Sequence, residues 1–472
     1  MKNFKILIIS MAISFMFFGC DLLDPTEVNN PAITEDKLLE DATGGAEPLI
    51  TGIKYSFSDA LMKTIMFTEV TSDNYDNVFT FLSNIIDNPR DILPSETVLD
   101  DTREIYFELQ TIHAKALFGL SVILPKDAQA TDEDYATVYF YKGMALIMLS
   151  ENFAAFPIEE NGAMVKSEDA LKIAVNNLKE SLSLDNSADN LSKCNLALAR
   201  AYRLLGDKIN AALFAEAALA INTQYVFYAE YDAANLDNEV YTFTLARANS
   251  NDMQPLPRLD FLEPKFIDQV SPIAALKTEE AYLILAEIAM ANGDIFRAKN
   301  EMNNAILLAK SREKLSFSDN DPRDERPNAD DFLVKFDEQS PSVPNLIKKR
   351  DGSIIEISQI SNTSVSESEV SLITNNTELY RILYLLRQEI FFSEGRRMSD
   401  LGIRLPVMQT QIDANPNVHP GELGTYIIVP SYIPMGYGLD EFIVDETNRI
   451  VTISYDMNKI LAQNISSVSP LL

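Results

Sequence analysis

Glu279-Glu280-Ala281-Tyr282-Leu283-Ile284-Leu285-Ala286-Glu287, followed by Asn292-Gly293-Asp294, is the stretch that decides how this chain folds. An apolar run of helical length is closed by a glycine, which ends a helix in a left-handed turn, and a second apolar run continues to Ala309. Residues 278–309 therefore read as helix, turn, helix. Sliding the sequence by 87 positions lays Ala199 on Ala286, Gly206-Asp207 on Gly293-Asp294, Ala211 on Ala298 and Ala218 on Ala305. Residues 192–221, with the turn Leu205-Gly206-Asp207, thus follow the same plan. Alanine at the matched points lets paired helices approach closely. This is the grammar of the tetratricopeptide hairpin, whose units of about 34 residues stack on one another. A generic antiparallel helix pair is the alternative; it does not require the matched alanines and turns. Three units are expected, at 133–184, 192–222 and 278–310, with a possible fourth helix near 376–398.

Working outward, Thr34-Glu35-Asp36 offers an N-cap and first-turn acids for a helix running toward Phe57, broken near Gly44-Gly45. A further helix is expected over about 99–124, before Pro125. Between them, 71–94 is polar and aromatic and includes Ser72-Asp73-Asn74-Tyr75-Asp76-Asn77, a loop composition. Two long stretches, 223–277 and 311–375, carry prolines, tyrosines and serines and do not fit a compact helical array. Loops of such length in a folded chain are functional or disordered. From Pro406 prolines mix with short alternating segments, 426–429 and 450–455, that read as strands. The fold class expected is mainly α: tetratricopeptide-like helical hairpins with long loops and a less regular C-terminal region. The organisation expected is a helical region at 34–222 and a second region at 223–472.

The amino end carries a different message. Lys2 and Lys5 precede an apolar run from Ile6 to Phe18, which stops at Gly19-Cys20-Asp21. A positive start, a short greasy core and a small residue before cysteine make an export signal of the bacterial lipoprotein type. The run is too short to cross a hydrocarbon core, which needs about 20 apolar residues. Residues 1–19 are expected to be cut away, leaving acyl chains on Cys20 and a polar tether over 20–33. An ordinary secretory signal with a chance cysteine is the alternative. No second apolar stretch of membrane-spanning length is expected.

The formal charge is −31; residues 1–19 hold two lysines and no acid, so the mature chain carries −33. Phosphate backbones would be repelled, which makes nucleic acid a poor partner. Cys20 and Cys194 are the two cysteines. With Cys20 committed to lipid, no intramolecular disulfide remains, and Cys194 reads as a small core residue.

Chemistry-bearing patterns are sparse. His113 and His419 lie far apart, and no His-x-x-x-His or Cys-x-x-Cys spacing supports zinc. No nucleophile elbow or phosphate-binding loop is present. Asp319-Asn320-Asp321 with Asp324-Glu325 lacks the glycine and terminal glutamate spacing of a calcium loop. Nothing singles out a carboxylate pair for glycoside hydrolysis. No catalytic residue, metal or cofactor is expected.

The lipoprotein signal and three internal segments resemble the SusD/RagB-like outer-membrane lipoproteins of Bacteroidota. The segments are Tyr139-Phe140-Tyr141-Lys142-Gly143-Met144-Ala145 leading to Phe156-Pro157, then Glu279–Glu287 with Asn292-Gly293-Asp294, then Glu394-Gly395-Arg396-Arg397-Met398-Ser399-Asp400-Leu401. Pro157 follows Phe156 directly, without the family's Gly-Asp, and the chain has no tryptophan. The resemblance implies a non-catalytic protein, lipid-anchored on the outer membrane and facing the cell exterior. It would sit as a lid on a SusC-like TonB-dependent barrel and hand over an oligosaccharide, or a peptide. By analogy of chain position, Asp73, Asn74, Tyr75 and Asn77 form one candidate ligand patch and Tyr228 and Tyr231 another, with half-buried packing as the alternative for each tyrosine. Glu394, Gly395, Arg397 and Asp400 form the family's structural motif. On a helix, Glu394 and Arg397, Arg397 and Asp400, and Arg396 and Asp400 would be neighbours able to pair along one face. A structural clamp between helix and C-terminal region is expected there. Two rival functions are a tetratricopeptide-type envelope scaffold that binds another protein through its concave face, and an envelope hydrolase.

Overall fold

The computed structural model describes residues 44–78, 85–95, 100–246, 253–324, 326–436 and 438–472. Cys20, the leader, the tether, the Thr34-Glu35-Asp36 cap and Glu325 lie outside the described residues.

Helices dominate. The longer ones, in order, are α1 (Ala46–Val70), α2 (Asp100–Phe118), α3 (Asp132–Asn152), α4 (Ser167–Leu184), α5 (Ala188–Leu204), α6 (Lys208–Ile221), α7 (Glu279–Ala291), α8 (Ile295–Ser311), α9 (Asn376–Ile390) and α10 (Met457–Gln463). Their starts follow local chemistry. Thr131 caps α3 by accepting from the Asp134 N–H at 3.2 Å, while the Asp134 carboxylate accepts from the Thr131 N–H at 2.8 Å, a reciprocal capping box. Asp207 and Asp294 cap α6 and α8 alike, accepting from the N–H groups of Asn210 and Arg297, each at 3.0 Å.

The two hairpin turns are the same turn. Gly206 and Gly293 have φ of +73° and +77°. The N–H groups of Asp207 and Asp294 reach back to the carbonyls of Tyr202 and Ala289 at 3.0 and 2.8 Å, which satisfies carbonyls the helix end leaves open. The six matched alanines are all buried. The hairpins α3–α4, α5–α6 and α7–α8 pack in succession, and α7 also meets α5, α6 and α9. Cys194 sits inside α5, fully buried, and burial pushes its thiol up to about 12.

Several expectations shift. α1 starts at Ala46, directly after Gly44-Gly45, and runs past Phe57 to Val70. The helix expected to reach Met398 stops at Ile390, where a turn precedes the short helix Arg397–Asp400. Residues 426–429 form no strand; Ile428 makes an isolated bridge to Arg404, whereas Ile450–Ile453 is a strand. The long segments 223–277 and 311–375 are tied down by short strand pairs. Val226–Ala229 pairs with Ile273–Lys277, and Leu315–Ser318 with Ile354–Ile357, both antiparallel. Ile450–Ile453 is the centre of a three-stranded sheet, antiparallel to Phe442–Asp445 and parallel to Leu333–Lys335. Among the described residues one stretch, Ile105–Lys126, is long and apolar enough to cross a membrane by length and composition, contrary to expectation. In the fold one face of it packs into the core, where Ile105, Leu109, Ile112 and Ala116 are fully buried, while Phe107, Leu117 and Phe118 on the other face stay exposed.

Candidate functional site: a buried ion-pair net and an aromatic groove

The segment after α1 was expected to be a loop carrying a ligand patch, with half-buried packing as the alternative for Tyr75. It faces inward. Asp73, Asn74 and Tyr75 are fully buried and Asn77 is nearly so. Arg397 donates to both Asp73 oxygens, from Nε at 2.5 Å and Nη2 at 2.9 Å. Arg258 Nη2 and Gln388 Nε2 add bonds of 2.6 and 3.0 Å. Burial pushes the Asp73 carboxyl up, and the guanidinium groups of Arg397 and Arg258 outweigh it, holding the group below the usual carboxylate range. Asn74 donates to Glu69 at 2.6 Å and accepts from Gln388 at 2.8 Å. The Tyr75 hydroxyl donates to Glu263 at 2.8 Å, and its ring stacks on Phe392 with centroids 4.9 Å apart. Side chains spent in this way have no surface to offer a ligand from solvent. In the second patch Tyr231 is buried, with its hydroxyl on the Ser58 carbonyl at 2.8 Å, and Tyr228 is half-buried on its strand.

The structural motif at 394–400 does not pair along one helical face as expected, because the chain turns through it. Gly395 has φ +69°, and a Cβ there would lie 3.3 Å from Thr64; its N–H donates to Glu69 at 2.8 Å. Glu394 accepts from Lys265 and Lys277 at 2.7 and 2.5 Å. Arg396 pairs with Glu280 at 2.6 Å. Asp400 accepts two bonds from Arg387, at 2.8 and 2.9 Å. Arg397 also reaches Asn458 in α10 at 2.9 Å. The motif joins the loop after α1, helices α7 and α9 and the C-terminal helix α10. Buried pairs of this kind are costly to break from one side, by about 3–5 kcal/mol, because the orphaned charge stays buried.

The acidic loop at Asp319 holds guanidinium in place of metal: Arg350 Nε lies 3.3 Å and Arg323 3.8 Å from its carboxylate. Among the described residues, no group of three or more His, Cys, Asp or Glu side chains is arranged to hold a metal ion.

An open groove of about 660 Å³ lies instead against the outer face of α2, walled by the 157–161 turn and the helix Gln409–Ala414. Phe107, Leu117 and Phe118 stand 54%, 46% and 37% exposed there, with Tyr106 beside them. His113 lies at its base, mostly buried. Its Nε2–H donates to the Ile158 carbonyl at 3.0 Å, which fixes the tautomer and leaves Nδ1 as an acceptor with no partner among the described residues. Burial, helped by the Lys142 charge, pushes the imidazole down to about 4, so the ring is neutral at physiological pH. Gln110 holds the turn by donating to the Pro157 carbonyl at 2.6 Å, and Asn415 holds it from the other side through the Gly162 carbonyl at 2.8 Å. Apolar walls with a few fixed polar groups suit a small-molecule site.

Sequence reasoning missed this groove. The signal was available: Phe107, Ala114, Leu117 and Phe118 recur at helical spacing on the side of α2 opposite Ile105, Leu109, Ile112 and Ala116. A helix with a second apolar stripe has a second surface to cover.

No family model matches the sequence, and no curated protein matches it. Solved structures do match in fold. A SusD superfamily protein of Bacteroides fragilis superposes with a TM-score of 0.54 at 11% identity, covering 80% of this chain and 99% of its own. A second SusD superfamily protein of that organism gives 0.52 at 11% identity, with coverages of 80% and 99%. A protein of Bacteroides vulgatus that carries the name of a sugar binding protein gives 0.53 at 15% identity, with coverages of 80% and 98%. At these identities the likeness is one of fold: the chain has the mainly α, SusD-like fold.

Proposed function

We propose that this chain is a surface-exposed outer-membrane lipoprotein that captures a nutrient, an oligosaccharide in preference to a peptide, and passes it to a SusC-like TonB-dependent barrel. The observation that carries the binding role is the groove on α2. Contiguous exposed apolar side chains rimmed by polar groups mark a binding surface, and the CH faces of a sugar ring are suited to lie against Phe107 and Phe118. The fold shared with a protein named for sugar binding supports the same ligand class. The leader ending in Gly19-Cys20 supports anchorage, since several acyl chains hold a protein durably on a bilayer. The mechanism is binding and gating, with no bond made or broken. Calorimetric titration of a panel of oligosaccharides and peptides into the full chain and a Phe107→Ala/Phe118→Ala variant tests the groove. A ligand that binds the parent and binds the variant at least about tenfold more weakly supports it; unchanged affinity refutes it.

A second reading, a scaffold that binds another envelope protein, is favoured by one observation. Ile209 and Phe296 occupy equivalent first-turn positions of α6 and α8 and are 81% and 78% exposed. It predicts that Ile209→Ser/Phe296→Ser abolishes capture of an envelope protein while oligosaccharide binding persists.

A further inference from the structure

The buried arginines of this protein are matched to carboxylates: Arg200 to Glu151, Arg203 to Glu287, Arg350 to Asp260, Arg387 to Asp400, Arg396 to Glu280, and Arg258 and Arg397 to Asp73. Arg404 breaks the pattern. It is half-buried, and among the described residues it has no carboxylate within ion-pair reach. Its Nη1 donates to the Ile403 carbonyl at 2.8 Å and reaches the Ser399 carbonyl at 3.5 Å. A guanidinium carries five N–H donors, so most of its capacity is unspent.

The residue is also held rigidly. The Arg404 N–H and carbonyl each bond to Ile428 at 2.9 Å, and the next N–H, of Leu405, bonds to the Asn152 carbonyl at 2.7 Å. Arg404 lines a cleft of about 520 Å³ between the end of α5 and the C-terminal residues 464–470. Ser399, Ser431, Ser467 and Asn464 line the same space, the Asn464 side-chain N–H already donating to the Ile460 carbonyl at 2.9 Å, and Leu204 and Val468 are among the apolar lining. Asp400 lies there too, but its oxygens are taken by Arg387, with Arg203 at 3.7 Å. The α2 groove shares no lining residue with this cleft.

We propose that the cleft is a second binding site, for a small ligand bearing a carboxylate, with Arg404 as its forked anchor. A planar guanidinium matches a carboxylate with two parallel hydrogen bonds, which gives both strength and orientation. The serine hydroxyls and the Asn464 carbonyl oxygen then meet the polar body of the ligand. The cleft volume falls in the range of small-ligand sites, about 300–1,000 Å³. Two sources carry this chemistry, an acidic sugar and the C-terminal carboxylate of a short peptide. The proposal stands apart from the α2 groove and survives if that reading fails.

Calorimetric titration of the full chain separates the outcomes. The probes are D-glucuronate against D-glucose, and N-acetyl-Ala-Ala against its C-terminal amide. Saturable binding of one carboxylate, with its neutral counterpart bound at least about tenfold more weakly, is expected, and which one binds identifies the source. Arg404→Gln is expected to weaken that binding by about tenfold or more. If that variant does not fold, Ser467→Glu decides: a change at an exposed position, it supplies an internal carboxylate and is expected to abolish binding of the added one. Equal binding of the acids and their neutral counterparts, no saturable heat up to about 20 mM ligand, or binding unchanged in the variants overturns the proposal.

Discussion

Arg397 holds the carboxylate of Asp73 with two hydrogen bonds, 2.5 and 2.9 Å long, across 324 residues of sequence. Both side chains are almost entirely removed from water. The pair fastens the end of α1 to the turn after α9, and through Asn458 to α10. Replacing Arg397 by Gln leaves Asp73 with Arg258 and Gln388 alone. Loss of about 3–5 kcal/mol in urea unfolding is expected. A loss below about 1 kcal/mol would show that the pair is not a fastening of the fold.

Asp87 makes stability depend on pH. Burial and the neighbouring Asp76 carboxylate push its pKa up to about 8, against donation from the Asn77 N–H. A carboxyl whose folded pKa is raised contributes stability that is whole below its unfolded value and is lost as pH rises through the folded one. The protein therefore loses stability from this residue between about pH 4 and pH 8. Asp87→Asn keeps the acceptor and removes the charge, so the variant gains on the parent by about 1–3 kcal/mol at pH 8.5 and little at pH 4. Urea midpoints measured at both values check this. An equal gain at the two values would contradict it.

The hairpin turns give a paired prediction. Gly293 is left-handed with nothing within 4 Å of a would-be Cβ, whereas at Gly206 that atom would stand 2.6 Å from the Pro470 carbonyl oxygen. Gly293→Ala is expected to cost about 1 kcal/mol, the backbone penalty alone. Gly206→Ala is expected to cost more, since the 464–470 segment must move as well. Thermal unfolding of the two variants orders them.

Anchorage is tested at Cys20. Cys20→Ala is expected to release the protein from membranes and to abolish palmitate labelling. Mutant protein that still sediments with membranes and still carries label contradicts the lipoprotein reading.

The repeat architecture was legible because it is written locally. Ala199 and Ala286, and the Gly206 and Gly293 turns, declare themselves by spacing alone. What lay beyond reach was non-local. Ser72–Asn77 has the composition of a surface loop, and nothing near it in sequence reveals that Arg258, Gln388 and Arg397 converge on it and make its burial tolerable. The same holds for Glu394–Asp400, whose local charges suggested helical neighbours while the folded partners lie on other elements. The strand pairs that pin 223–277 and 311–375 are too short to announce themselves, at five residues or fewer each. The α2 groove was readable in part: Phe107 and Phe118 stand at helical spacing, but the walls that make a groove of them come from residues near 160 and near 411.

The most direct test of a cradle that grips cargo unchanged is equilibrium dialysis of the full chain against a mixture of defined oligosaccharides and peptides, with mass spectrometry of both compartments. The account predicts that one ligand class is enriched on the protein side at its original mass, and that Phe107→Ala/Phe118→Ala removes the enrichment. Enrichment of neither class, or the appearance of cleaved products in the parent, would contradict it.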